Sequence, residues 1–67
     1  MKLRINGEWM EIKQDASLSD LLRQMTIVRQ GVAVELNKQV VSPKETWENI
    51  VLKEGDRLEI VHAVGGG

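Results

Sequence analysis

The alternation of apolar and polar residues begins with two short segments on either side of Asn6 and Gly7. An Asn-Gly pair between alternating segments is the strongest short-range signal for a two-residue β-hairpin. With this turn, Ile5 lies opposite Glu8, and the pairing continues outward from there. Opposed residues share one face of a sheet, so the register predicts a core face formed by Met1, Leu3, Ile5, Met10 and Ile12.

The other face of the predicted hairpin is polar apart from one tryptophan. On it, Lys2 lies opposite Glu11 and Arg4 lies opposite Trp9. An exposed ion pair and an exposed cation–π contact each stabilise a fold by well under ~1 kcal/mol. We therefore expect this face to point away from the core.

A helix is predicted after the hairpin. Ser17 can cap its first turn, and Asp20 follows where a carboxylate suits the helix dipole. Apolar residues then recur at helical spacing, as Leu18, Leu21, Leu22 and Met25. This stripe is interpreted as core, and the helix is expected to end before Gly31.

Alternation resumes in the second half of the chain. Residues 32–36 predict a half-buried strand, residues 37–39 a turn, and residues 40–41 a very short strand. Gly55 fits a turn, and the last strand is predicted from about Arg57 to Ala63, with Val61 on the face that Glu59 occupies.

A short helix is predicted near residues 43–49. Ser42 offers a cap, Pro43 suits the first helical position, and Glu45 can complete a capping box. The helix carries Trp47, which is interpreted as a cover for the core.

The order of these elements predicts an α+β fold of the β-grasp type. A mixed sheet of four to five strands would be covered by the main helix, with the short helix at its side. The helical connection is long enough for a parallel crossover, so the first and last strands can lie side by side. Residues 1–64 would form the domain, and residues 65–67 a flexible glycine tail.

Size and composition exclude several function classes. A chain of 67 residues has little room for a deep enclosed active site, so we expect a module acted on by enzymes and not an enzyme. Nine Lys and Arg residues against ten Asp and Glu residues, with the signs interspersed, provide no basic stripe for nucleic acid. The first residues form no apolar targeting segment, and a cytoplasmic location is expected.

The chain contains no cysteine, which excludes a disulfide framework and a side-chain thiolate that could carry sulfur. It ends in Gly65, Gly66 and Gly67, which present a free α-carboxylate on a segment without side chains. A narrow active site of a partner could accommodate such a backbone. The alternatives are a frayed terminus and a cloning remnant.

Taken in order, these motifs resemble the ubiquitin-like sulfur carriers of the ThiS/MoaD family, and within it the branch that serves thiamine biosynthesis. The resemblance covers the whole chain. It rests on the short length, the Asn6 and Gly7 hairpin, the helix with adjacent leucines, the Gly-Asp pair before the last strand and, most specifically, the terminal glycines.

The resemblance implies a carrier cycle. An E1-like adenylyltransferase of the ThiF type would use ATP and magnesium to adenylate the carboxylate of Gly67. Sulfur from a cysteine desulfurase would convert the adenylate to a thiocarboxylate, and a thiazole synthase of the ThiG type would receive the sulfur. Gly65 and Gly66 would be required for activation, and the chain itself would bind no metal or cofactor.

The residues alone leave three functions open. The chain could be the thiamine sulfur carrier, a related carrier or modifier (for molybdopterin, tRNA thiolation or lysine conjugation), or a plain β-grasp binding module. Arg4, Trp9 and Val61 are predicted as a partner-docking surface, since tryptophan is enriched at interface hot spots. An exposed Trp9 stacked on Arg4 without any partner is the alternative interpretation. The lone His62 is interpreted as structural or solvated.

Overall fold

The computed structural model describes residues 1–62 of the chain. Within them, five strands form one mixed sheet in the spatial order β2-β1-β5-β3-β4. The strands are β1 (Lys2–Ile5), β2 (Glu8–Glu11), β3 (Val32–Leu36), β4 (Gln39–Val40) and β5 (Arg57–His62). Helix α1 spans Leu18–Gln24, and a 3-10 helix spans Lys44–Asn49. This is the predicted β-grasp architecture.

The hairpin forms in the predicted register, with Ile5 opposite Glu8 and every earlier pair in step. Asn6 has a φ of 50° and Gly7 a φ of 84°. Positive φ at both central residues is what a two-residue type I′ turn requires, which explains why these two residue types stand here.

The first and last strands lie side by side and run parallel, as predicted. Their ladder pairs Arg4 with Arg57 and Ile5 with Leu58. On its other side, β5 runs antiparallel to β3, from Leu36 opposite Leu58 to Val32 opposite His62. Strand β5 is therefore the centre of the sheet, and the described part of the chain ends on it.

Helix α1 begins with the predicted cap. Ser17 Oγ accepts a hydrogen bond from the Asp20 backbone N–H at 3.0 Å, and Asp20 Oδ2 accepts one from the Ser17 N–H at 3.1 Å. The helix ends at Gln24, before Gly31 as predicted, and Met25 lies half-buried against the core.

The predicted cap of the short helix is wrong in detail. The element is a 3-10 helix whose N-cap residue is Pro43, one position later than Ser42, and no side chain caps it. The Thr46 backbone N–H bonds to the Pro43 carbonyl at 3.0 Å, and Thr46 Oγ1 donates to the same oxygen at 2.7 Å. The tighter three-residue turn starts from Pro43, so neither Ser42 nor Glu45 forms a capping box.

The bounds of one strand, β4, differ from the prediction by a residue. Strand β4 is Gln39–Val40 and not residues 40–41, because Asn37 and Lys38 alone form the turn, with φ values of 51° and 72°. Strand β5 is described to His62, and Ala63, where the prediction ended it, lies outside the described residues.

One core joins the sheet to both helices. Trp47 is 1% exposed, and its indole N–H donates to the Val41 carbonyl at 3.0 Å, which confirms it as a core cover. None of the helices in residues 1–62 has the length and apolar character needed to cross a membrane. The buried apolar residues are Leu3, Ile5, Ile12, Ala16, Leu18, Leu21, Leu22, Val32, Val34, Trp47, Leu52, Leu58 and Ile60.

Candidate functional site

The sheet has an outer face, turned away from this core, and the predicted docking residues lie on it. Side chains alternate between the faces of a strand, so the buried residues of each strand identify the outward ones. The outer face thus consists of Lys2, Arg4, Trp9, Glu11, Ala33, Glu35, Val40, Arg57, Glu59 and Val61.

Arg4 and Trp9 are brought together, as the hairpin register predicted. The Arg4 guanidinium carbon lies 5.6 Å from the centroid of the Trp9 ring, within cation–π range. Trp9 remains 59% exposed, whereas Arg4 is half-buried. Arg4 Nε is buried and has no hydrogen-bond partner among the described residues. The half-buried Arg4 side chain therefore lies beneath the Trp9 ring, and the ring itself is accessible to a partner.

A second arginine extends this part of the outer face. Arg57 is the parallel partner of Arg4, so Trp9, Arg4 and Arg57 form one row across three adjacent strands. The row is aromatic at the edge of the sheet and basic toward its centre.

The next row across the sheet is acidic. Glu35 and Glu59 lie directly opposite each other in the antiparallel ladder of β3 and β5, and both are exposed. Like charges in this position destabilise a sheet. Sequence reasoning missed the pair, because the two glutamates come together only through the pairing of distant strands.

Val61 lies beyond this acidic row. It is opposite Ala33 and is 57% exposed, which confirms the predicted outward phase. It lies four positions after Arg57 in β5, a distance of about 13 Å along an extended strand. The structure thus places the three predicted docking residues on one face but not in one cluster.

Asn6 has a role that the sequence analysis missed. Its Oδ1 accepts a hydrogen bond from the Ile60 backbone N–H at 2.7 Å, and its Nδ2 donates to the Ile60 carbonyl at 3.3 Å. Nothing in the sequence pointed to this contact, because the need for a turn residue already explains an asparagine at this position.

The predicted modification site lies outside the described residues. Gly65, Gly66 and Gly67 follow the last described residue, His62, which is exposed at the end of β5. Their proposed role stays a prediction. Within residues 1–62, no group of three or more His, Cys, Asp or Glu side chains could hold a metal ion.

Comparison with known proteins identifies the chain. Its five-stranded mixed sheet and single main helix define a ubiquitin-like β-grasp protein. The crystal structure of a thiamine biosynthesis protein (ThiS) from Geobacter metallireducens superimposes with a TM-score of 0.84, at 28% identity and with both chains covered completely. A sequence model of the ThiS family matches residues 3–67. The chain belongs to the ThiS family.

Two curated relatives differ greatly in length. The chain is 38% identical over 66 residues to the sulfur carrier protein ThiS of Bacillus subtilis, covering 97% of this chain and 98% of that protein. It is 42% identical over 67 residues to a thiazole synthase of Magnetococcus marinus, of whose length it spans only 20%. A ThiS-like segment therefore occurs both as a separate small protein and within a thiazole synthase.

Proposed function

We propose that this ThiS-family sulfur carrier holds its sulfur as a thiocarboxylate on Gly67 and delivers it for thiazole formation in thiamine biosynthesis. The observation that carries the proposal is the extent of the family match, which runs to residue 67 and so includes the terminal glycines. The near-complete coverage of a small curated sulfur carrier supports it.

The chemistry explains why activation is needed. A carboxylate resists nucleophilic attack, because its charge and resonance make the carbon a poor electrophile. In the proposed cycle, an oxygen of the Gly67 carboxylate attacks the α-phosphate of ATP and pyrophosphate leaves. The persulfide that the desulfurase forms from cysteine then attacks the adenylate carbonyl, so that the C–S bond forms and AMP leaves. A thiol reductant cleaves the remaining S–S bond and releases the thiocarboxylate. ATP and magnesium belong to the adenylyltransferase, and the carrier is its substrate.

The composition fits a carrier that uses its terminus. The chain has no cysteine, so no side-chain thiolate competes for the sulfur or for the activated carbonyl. In the proposed cycle the group that is activated is the carboxylate of Gly67, which follows Gly65 and Gly66.

Three partners follow from this cycle: an E1-like adenylyltransferase of the ThiF type, a cysteine desulfurase and a thiazole synthase of the ThiG type. The thiazole synthase has support of its own, because a relative of that name contains a segment like this chain. A protein that carries donor and acceptor in one polypeptide keeps them at high effective concentration. The partners and the expected cytoplasmic location remain proposals.

The outer sheet face is the proposed docking surface for the adenylyltransferase. Trp9 supplies a large apolar group that is 59% exposed, and Arg4 lies beneath it with the guanidinium already oriented. Val61, also exposed, lies near the end of β5, from which the chain continues to Gly67. A partner that covers both ends of this face would also lie close to where the tail begins.

The test is intact mass spectrometry after incubation with ATP, magnesium, the ThiF-type adenylyltransferase, a desulfurase with cysteine, and a thiol reductant. The expected product carries one sulfur in place of one oxygen. Gly66→Val should impair adenylation more than Gly65→Ala, because a Cβ deeper in the active site competes with ATP for space. A mass that never changes would contradict the carrier function, and equal activity of both variants would contradict the required glycine backbone.

A further inference from the structure

Strand β5 is held unequally on its two sides. On the β3 side, pairing continues from Leu58 to His62. On the β1 side, the ladder stops after Ile5 opposite Leu58, because the chain turns away at Asn6. Beyond Leu58, β5 therefore has a paired strand on one side only.

The side chain of Asn6 replaces the missing strand partner of β5 beyond Leu58. The Asn6 backbone N–H donates to the Leu58 carbonyl at 2.9 Å, as the next step of a parallel ladder would. One step further, Ile60 bonds to the Asn6 side-chain amide through both its N–H and its carbonyl, at 2.7 Å and 3.3 Å. A primary amide offers a donor and an acceptor together, as a peptide group does.

We propose that Asn6 is a positioning residue that fixes the end of β5, from which the chain continues to Gly67, and thereby raises the rate of adenylation by the activating enzyme. This inference rests on the proposed function. Asn6 ties the end of β5, at Ile60, to the hairpin that carries Arg4 and Trp9, so the two parts of the proposed docking surface are hydrogen-bonded to each other. Restricting the geometry from which a reacting group is presented raises the rate of the chemical step more than it raises affinity.

Asn37 provides a matched control. It also begins a two-residue turn, and its φ of 51° matches the 50° of Asn6. Its Oδ1 accepts a hydrogen bond from the Arg57 backbone N–H at 3.0 Å, at the opposite end of β5. Asn6→Gly and Asn37→Gly therefore each keep a residue that tolerates positive φ and each remove two side-chain hydrogen bonds. Asn6→Gly removes both bonds to Ile60, and Asn37→Gly removes the bond to Arg57 and a bond of 3.1 Å to Asp56 Oδ1. They differ in which end of the strand is released.

The first measurement is amide hydrogen exchange of the folded variants. In Asn6→Gly, the exchange of the Ile60 N–H should become about tenfold faster, because the loss of its acceptor removes a hydrogen bond of ordinary strength. In Asn37→Gly, the Arg57 N–H should respond instead and the Ile60 N–H should not. Thermal melting of both variants shows whether they are equally stable.

The second measurement is ATP–pyrophosphate exchange with the ThiF-type adenylyltransferase. Asn6→Gly should lower kcat about tenfold with KM within about twofold of wild type, because docking is kept and positioning is lost. Asn37→Gly should change neither constant. If Asn6 had only a structural role, kcat would not fall while KM stayed near the wild-type value in an Asn6→Gly variant as stable as Asn37→Gly.

The outcomes separate the two proposals. Unchanged exchange of the Ile60 N–H in Asn6→Gly, or the same loss of kcat in both variants, would overturn the positioning role while leaving the carrier function intact. A wild-type chain that supports no pyrophosphate exchange would overturn the proposed function and the positioning role with it.

Discussion

Single residues on the outer sheet face contribute less to the stability of the fold than the residues of the core do. Trp9 and Val61 keep more than half of their surface in water, at 59% and 57% exposure. Scattered exposed apolar residues are ordinary in proteins. Here they occupy the same face as a like-charged pair, Glu35 and Glu59, which opposes folding. A face whose residues contribute so little to stability is suited to a partner.

At this scale we predict that Trp9→Ala and Val61→Asp weaken activation and leave the fold intact. Truncating a hot-spot residue costs roughly 2 kcal/mol or more of binding free energy. The measurement is KM for the carrier in ATP–pyrophosphate exchange. Val28→Asp is the control, because Val28 is 68% exposed but lies in the connection between α1 and β3 and not in a strand of the outer face. Unchanged kinetics in both test variants would place the docking site elsewhere.

We also predict that Glu35→Gln stabilises the protein. Removing one charge of an opposed like-charged pair should raise the free energy of unfolding by about 0.2–1 kcal/mol, and more at low salt, where repulsion is less screened. Urea unfolding at two salt concentrations measures this. Glu8→Gln makes the same change in net charge opposite an apolar residue, Ile5. If Glu8→Gln stabilises the protein as much as Glu35→Gln does, the paired glutamates are not the cause.

At the scale of the element, helix α1 shows a short segment specified by local chemistry. It has seven residues, too few for an isolated helix to be stable in water. The capping box of Ser17 and Asp20 satisfies two N–H groups at its start, and Arg23 Nη2 bonds to Asp20 Oδ1 at 2.8 Å. The buried stripe on its other side attaches it to the sheet.

The cap makes stability depend on pH in a definite direction. Hydrogen bonding to the Ser17 backbone N–H, and then to the Arg23 side chain, lowers the pKa of Asp20 from its ordinary value of 3.8. A lowered pKa in the folded state means that the carboxylate stabilises the fold above the unfolded pKa. This contribution is lost as pH falls through the folded pKa.

We therefore predict that Asp20→Asn is less stable than wild type at pH 7 and that the difference disappears in strong acid, once Asp20 is protonated in both states. Chemical unfolding across the acid range measures the difference. Asp15→Asn is the control, because Asp15 is exposed and lies outside the capping box. A difference that does not change with pH would mean that the charge of Asp20 is not what stabilises the cap.

At the scale of the whole molecule, folding and the proposed chemistry belong to different parts of the chain. Every fully buried apolar residue in the described part of the chain lies between Leu3 and Ile60. The proposed reacting group is the carboxylate of Gly67. Gly65, Gly66 and Gly67 have no side chains to bury. The core can therefore form without the terminal glycines.

This division predicts that deleting Gly66 and Gly67 abolishes ATP-dependent activation and leaves the thermal midpoint nearly unchanged. The truncated chain keeps the complete described core and lacks only the reacting terminus. Differential scanning calorimetry and ATP–pyrophosphate exchange on the same preparation test both halves. Adenylation of the truncated chain, or unfolding many degrees earlier, would contradict it.

Local sequence determined much of this fold. The Asn6 and Gly7 pair set the register of the hairpin, and Ser17 with Asp20 set the start of α1. Alternation identified which residues of β3 and β5 face the core, including the outward phase of Val61. Each signal acts between residues that are neighbours along the chain or across one turn, so the printed sequence contains it in full.

Tertiary structure decided the features that depend on distant segments meeting. Asn6 and Ile60 are 54 positions apart. The side chain of Asn6 can bond to the Ile60 backbone only because β5 lies parallel to β1 and next to it. Glu35 and Glu59 oppose each other only because β5 lies between β1 and β3. Distant strands pair when the whole core is buried. No local pattern in the sequence indicates which polar side chains that burial brings together.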